Sequence, residues 1–274
     1  MTPADDIHES NARFHEAWCF FARKSTTGEV LDLPEVSIAS SNVPWAMLNA
    51  AFLRAPVDTE AALKRAASAA FDYFAPRGRG WMFALCEDWL PRALRSRVTT
   101  LLAPLELRPS VMATGMVAER LLPAARPLPR LKVLATRDGH GRADLADINS
   151  LSYDVEPSTG RLVFDVPELF TSEHLGFVGY RLDQPATCAS VIRVEDVAYM
   201  TMVATLPPHR QVGCAEAIMR HALAEAQGAW GLERTVLHAT PAGVPVYRRM
   251  GYRPVTRFLF YTAEPRPALR DAPA

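Results

Sequence analysis

The chain has no net charge, because thirty basic residues balance thirty acidic ones. Without a global field it has no built-in attraction to nucleic acid or to an anionic membrane, and neither is expected as a partner. Cysteine is scarce: Cys19, Cys86, Cys188 and Cys214 stand far apart with no CxxC pair. That spacing argues against a zinc site and a disulfide framework and points to reduced, mostly buried thiols, so no metal is expected. No stretch approaches the ~20 uninterrupted apolar residues of a membrane-spanning helix. The opening MTPADDIHESNARFHEAW lacks the basic start and apolar run of a secretory signal, which makes a cytoplasmic location the expectation. What is present is apolar surface: 49% of 274 residues are hydrophobic, enough for two ordinary domains.

A boundary is expected in the proline-rich Leu122-Pro-Ala-Ala-Arg-Pro-Leu-Pro-Arg130, since each proline removes a backbone donor and restricts its predecessor. The expected division is an N-terminal α/β domain over 1–125, a second domain over 130–263, and a mobile tail over 264–274, rich in proline, alanine and charge. In the first half, strands are predicted at Val36–Ala39 and Trp81–Cys86. Helices are predicted at Thr59–Phe74 behind an Asp58 cap and at Pro91–Leu102, with extended chain over Leu107–Ala118. In the second half, Leu131–Ala135 reads as a strand and Ala143–Ser152 as a helix, followed by turn residues at Glu156–Gly160. Leu175–Arg181, Ala186–Arg193 and Val197–Ala204 read as a meander. A helix from about Ala217 to Gly228, a strand at Thr235–His238, a short helix at Val246–Met250 and a last strand at Val255–Tyr261 complete an α/β (α+β) mixed sheet flanked by helices.

The chemistry concentrates in Met202-Val-Ala-Thr-Leu-Pro-Pro-His-Arg-Gln-Val-Gly-Cys-Ala-Glu216, a strand running through a tight loop into a helix. Loop amides and the first free N–H groups of that helix converge on one point that the helix dipole makes attractive to an anion. Gly213 permits close approach, Cys214 and Ala215 are small, and Arg210 can add charge-assisted hydrogen bonds. Taken alone, an ordinary strand-to-helix turn explains the same residues. A second strand and then Pro245-Val-Tyr247-Arg-Arg-Met-Gly251-Tyr252 follow at short distance.

In these two elements the chain resembles the GNAT (Gcn5-related N-acetyltransferase) superfamily. The family's diphosphate loop, Arg/Gln-x-x-Gly-x-Gly/Ala, matches Arg210, Gly213 and Ala215, and its Tyr-x-x-x-Gly-Phe/Tyr element matches Tyr247, Gly251 and Tyr252. The resemblance covers about Leu131 to Thr262. It implies that two adjacent parallel strands, Val197–Ala204 and Thr235–His238, splay to admit the pantetheine arm of acetyl-CoA. Val203, Ala204 and Thr205 would then lie along that arm, with the backbone of Val203 and Thr205 bonding its amides as an added strand does. Gln211, Val212, Gly213, Cys214, Ala215 and Glu216 would hold the diphosphate beside Arg210.

Tyr247 carries two readings: the family tyrosine that protonates the leaving thiolate, or a packed aromatic with a hydrogen-bonded hydroxyl. Thr240 stands where the family often has an asparagine on pantetheine, and its hydroxyl replaces one amide contact at most. No general base is visible; Glu173, His174, Glu195 and His209 read as solvated residues and His238 as a satisfied core imidazole. The element order before residue 122 resembles the later half of the same fold, which suggests a tandem arrangement with a degenerate first unit. That half has no diphosphate loop, and Arg77-Gly-Arg-Gly80 reads as a turn. The resemblance implies an N-acetyltransferase that moves an acetyl group from acetyl-CoA to a primary amine of a small-molecule or amino-acid-like acceptor. A non-catalytic acyl-CoA-binding regulator and a protein-modifying acetyltransferase stand as alternatives, and a homodimer is left open.

Overall fold

A computed structural model describes residues 2–265; most of the expected tail, 266–274, lies outside the described residues. The first part of the chain forms α1 (Pro3–Lys24), β1 (Glu29–Asp32), β2 (Val36–Ser40), β3 (Asn49–Leu53), α2 (Glu60–Phe74), β4 (Trp81–Cys86), α3 (Arg92–Arg95), α4 (Val98–Leu102) and β5 (Arg108–Ala118). The second part forms β6 (Lys132–Ala135), α5 (Gly139–Ser152), α6 (Pro157–Phe164), β7 (His174–Arg181), β8 (Gln184–Val194), β9 (Val197–Thr205), α7 (Cys214–Trp230), β10 (Thr235–Ala239), α8 (Val244–Met250) and β11 (Arg253–Ala263). Two compact units arise, and they interleave along the chain: one is Met1–Ala17 with Thr114–Val255, the other Trp18–Ala113 with Thr256–Ala274. The proline-rich segment therefore falls inside the first unit.

In the first unit β6, β7, β8 and β9 form the expected antiparallel meander, β9 runs parallel to β10 through the α7 crossover, and β10 pairs antiparallel with Thr114–Ala118 of β5. Ile218, Met219, Ala222, Leu223 and Ala226 fall on one stripe of α7 and bury against Phe177, Ala189, Val191 and Met200 of the sheet. Each of the larger side chains, Ile218, Met219, Leu223, Phe177, Val191 and Met200, contributes about 1.5–3 kcal/mol of transfer free energy before its entropy cost. The predicted turn at 156–160 is instead the start of α6, with Pro157 in its first turn, where a missing N–H costs nothing. Helix α7 runs on past Gly228 to Gly231, whose φ of 70° supplies the left-handed cap.

The second unit repeats this order: β1, β2 and β3 are antiparallel, β3 is parallel to β4 through the α2 crossover, and β4 pairs antiparallel with β11 over Phe258–Ala263. Its core gathers Phe74, Trp81 and Phe83, with the Phe74 and Trp81 rings stacked at 5.0 Å. The cap of α2 is Thr59 rather than Asp58, because Thr59 is the extended residue whose hydroxyl accepts from the Ala62 N–H. The single helix predicted over 91–102 is broken at Ser96-Arg97 into α3 and α4.

Helix α1 has no clear signature in the sequence. Its buried face carries Asp6, Ser10 and Asn11 beside Phe14 and Ala17, so the apolar period is masked by polar residues. Within the first unit Asp6 pairs with Arg234 at 2.9 Å and Arg253 at 2.7 Å, which satisfies the buried carboxylate. Among the described residues, no helix is long and apolar enough to cross a membrane, and no group of three metal-ligating side chains occurs.

Candidate active site

The candidate site lies in the first unit, where β9 and β10 part. Among the described residues their parallel register holds at Thr235↔Ala198 and Val236↔Tyr199 and goes no further, although β9 continues to Thr205 and β10 to Ala239. A bulge marks the parting strand. Between the pairs Cys188↔Ala204 and Ser190↔Thr201, β8 has one residue, Ala189, where β9 has two, Met202 and Val203. Met202 takes up the extra length with a φ of 53°, unusual for a residue with a Cβ.

Two side chains of β8 hold this irregular backbone. The Cys188 thiol donates to the Met202 carbonyl at 3.2 Å, and the Thr187 hydroxyl donates to the Ala204 carbonyl at 2.8 Å. Leu206 donates to the Ala186 carbonyl at 3.0 Å. Successive residues of a strand turn their backbone groups to opposite edges, so with Ala204 and Leu206 bonded toward β8, Val203 and Thr205 face the gap. Arg210 Nε donates to the Thr205 carbonyl at 2.9 Å, which ties the loop to the end of the strand.

The loop then turns through Gln211 at φ 63° and Gly213 at φ 97° into α7. The caps separate this helix from others in the chain. Thr59 and Asp138 satisfy first-turn amides of α2 and α5 with their side chains, whereas Gly213, the residue capping α7, has none to offer. The N–H groups of Cys214, Ala215 and Glu216 precede the first intrahelical bond, from the Ala217 N–H to the Gly213 carbonyl, and point out of the helix end. The Glu216 carboxylate turns away, buried and held by Arg220 at 2.8 Å, so it does not oppose an anion at the helix head. Small residues, free amides and the helix dipole together suit a phosphate.

Tyr247 stands in α8. Its ring folds back over Gly243: a Cβ built there would lie 2.7 Å from Tyr247 Cε2 and 3.2 Å from its hydroxyl oxygen. That hydroxyl has no hydrogen-bond partner among the described residues, whereas the Tyr252 hydroxyl is 3.0 Å from Thr235 Oγ1. Burial pushes the Tyr247 phenol well above its ordinary pKa, reinforced by Tyr153 and Tyr252. Thr240 starts α8 through its carbonyl, which accepts from Gly243 at 2.9 Å and Val244 at 3.2 Å.

Residues 172–254 match a family model described as Acetyltransferase (GNAT) domain. The chain carries a GNAT domain. Solved structures agree in fold with it. A GCN5-related N-acetyltransferase from Kribbella flavida superposes with a TM-score of 0.67 at 17% identity, over 94% of this chain and 97% of that one. A functionally unknown conserved protein from Staphylococcus epidermidis superposes at 0.61 with 10% identity, over 86% and 93%. A tandem GNAT protein from the clavulanic acid biosynthesis pathway gives 0.50 at 16%, over 85% and 80%. At these identities the likeness is one of fold, a mixed sheet flanked by helices. No curated protein matches the sequence.

Of the base candidates, His174 proves buried rather than solvated, with Nδ1 3.0 Å from the Leu169 carbonyl and its ring stacked on Phe170. Glu195 is exposed and pairs with Arg13 at 2.7 Å. Glu173 is exposed and His209 half-buried. His238 is held on both nitrogens, by Ser10 at 3.1 Å and Tyr199 at 2.9 Å, and stacks on Phe14; burial lowers its pKa to about 3. Arg77-Gly-Arg-Gly80 forms the expected turn, with Gly78 at φ 61°.

Two features of the site, the Met202 bulge and Tyr153, are not legible in the sequence. Tyr153 caps the end of α5 and lies close enough to Tyr247, Cys188 and Arg210 to interact electrostatically with each. A tyrosine just after a helix carries no local signal of such a neighbourhood. A cavity of about 320 Å³ in the second unit, lined by Thr99, Ala103, Leu107, Arg108 and Pro109, includes none of the candidate residues.

Proposed function

We propose that the chain is an N-acetyltransferase that moves the acetyl group of acetyl-CoA to a primary amine of a small-molecule or amino-acid-like acceptor. The observation that carries this reading is the gap between β9 and β10, which ends at an uncapped helix. It offers unpaired strand backbone for an extended amide-bearing arm and free amides for a diphosphate. The backbone groups of Val203 and Thr205 would bond the pantetheine amides, and the loop from Arg210 to Glu216, through its backbone, would bind the diphosphate. Thr240 would touch the arm from the β10 side.

The neutral amine attacks the thioester carbonyl; the C–N bond forms, the C–S bond breaks, and the ammonium proton passes to water. Fixed N–H groups at the bulge would polarise the carbonyl oxygen, and pre-positioning both reactants in the gap lowers the entropic barrier. Tyr247, raised far above the ordinary pKa of a phenol, stays protonated and serves the departing thiolate as a hydrogen-bond donor. Zero net charge favours a small acceptor over a basic protein tail.

The test is calorimetric titration with acetyl-CoA of the wild type, Gly213→Trp and Ala215→Asp. An aspartate in the first turn of α7 suits the helix dipole and so preserves folding, yet it repels a phosphate. A loss of about tenfold or more in affinity, ~1.4 kcal/mol, is expected from Ala215→Asp. A folded wild type that binds no acetyl-CoA would sink the proposal. Binding without thiol release across an amine panel would turn the reading toward an acyl-CoA-binding regulator.

A further inference from the structure

We infer that Arg126 and Arg181 extend the cofactor site beyond the diphosphate loop and recognise the 3′-phosphate of coenzyme A, which makes the proline-rich segment part of that site. This rests on the acetyl-CoA reading and names a specificity that reading leaves open. Residues 126–129 lie directly over the loop: a Cβ built on Gly213 would stand 3.2 Å from Pro129 Cδ, 3.6 Å from Leu128 Cδ2 and 3.8 Å from Arg126 Nη2. The segment is pinned from its other end. Leu122 donates to the Met250 carbonyl at 2.8 Å and accepts from Arg220 Nη1 at 2.8 Å. Its prolines restrict the backbone in between, so Arg126 is presented to the loop at little entropic cost.

Arg181 ends β7 two residues beyond Gly179, where a Cβ would stand 3.4 Å from Ile218 Cδ1 of α7, and its charge reaches Cys214, the first residue of that helix. With Arg210 in the loop itself, three guanidiniums from three elements gather at one helix N-terminus. Cations at that end of a helix are disfavoured by its dipole. Among the described residues neither Arg126 nor Arg181 has an ion-pair partner, and the acid in the first turn of α7, Glu216, is already held by Arg220. Arg210 and the amides of α7 suffice for the diphosphate, which leaves two cations for a further dianion. Coenzyme A carries one, on its ribose.

The proposal is tested by titrating wild type, Arg126→Ala and Arg181→Ala with acetyl-CoA and with acetyl-3′-dephospho-CoA, each variant first checked for an unchanged thermal transition. The wild type should prefer acetyl-CoA by about tenfold or more, in the range of a charge-assisted contact. Each variant should lose roughly three- to tenfold for acetyl-CoA and nothing for the dephospho ligand, and Arg126→Lys should recover part of the loss. Equal wild-type affinity for the two ligands, or equal losses on both in the variants, overturns the assignment while leaving acetyl-CoA binding intact. A wild type that binds neither ligand refutes the acetyl-CoA reading itself, a result visible before any variant is made.

Discussion

Gly243 lacks a side chain where the Tyr247 ring needs the room, and that makes one hydrogen atom decisive for the placement of a hydroxyl. Gly243→Ala would push the ring off its seat, since a contact of 2.7 Å is too short for real carbon atoms. Gly243→Ala and Tyr247→Phe should both lower kcat by roughly 10- to 1000-fold with little change in acetyl-CoA affinity, measured by thiol release and calorimetry. An unaltered kcat in Tyr247→Phe would reduce Tyr247 to a packed aromatic. At the same scale, His238 sets a pH dependence. Its folded pKa lies near 3 and its ordinary value is 6.5, so below pH 6.5 the unfolded chain binds the additional proton. The stability due to the neutral ring is complete above pH 6.5 and is lost as the pH falls from there toward 3. The unfolding free energy from urea titrations should fall over that window with a slope approaching 1.4 kcal/mol per pH unit, and His238→Gln should flatten it by one proton.

At the scale of elements, the bulge in β9 stands between a closed sheet and an open one. In the second unit β3 and β4 stay paired across Ala50↔Met82, Ala51↔Phe83 and Phe52↔Ala84, to within one residue of the end of β3, and their crossover helix is capped by a side chain. Deleting Met202 would restore an even register against β8. Such a variant should remain folded, with a thermal transition no lower than about 5 °C below wild type, and lose acetyl-CoA binding. Retained affinity would show that the gap does not depend on the bulge. Thr187→Val together with Cys188→Ala should weaken binding by about three- to tenfold, because the displaced carbonyls of Met202 and Ala204 lose their donors. Much of this architecture was legible in the sequence. The β-branched runs announced the meander, and Arg210-x-x-Gly213-x-Ala215 announced the loop, since both signals are local. The bulge was hidden because Thr201-Met-Val-Ala204 contains no glycine, and only the pairing with β8 reveals the additional residue. Helix α1 was hidden because Asp6 and Ser10 find their partners, Arg234, Arg253 and His238, at the far end of the sequence. The approach of Arg126 to Gly213 was hidden for the same reason.

For the whole molecule, the interleaving decides what can be cut apart. The pairing of β10 with Thr114–Ala118 and the ion pairs of Arg234 with Asp6 and Glu9 lie within one unit, yet their partners precede residue 130. A fragment covering 130–263 would bare the edge of β10 and strip Arg234 of its acids. It should show no cooperative thermal transition and should aggregate, whereas the full chain unfolds cooperatively. A fragment that melts sharply and binds acetyl-CoA would refute this. The same pairings carry a consequence for the newborn chain. Ala118 waits for Thr235 and Trp81 waits for Ala263, so the last strand of each unit finds its partner late in translation. The second unit cannot close behind the ribosome until the whole of the first unit has been made, because β11 is the strand that β4 pairs with. The second unit stays open to chaperones until that strand emerges, and closing such distant pairs makes folding slow.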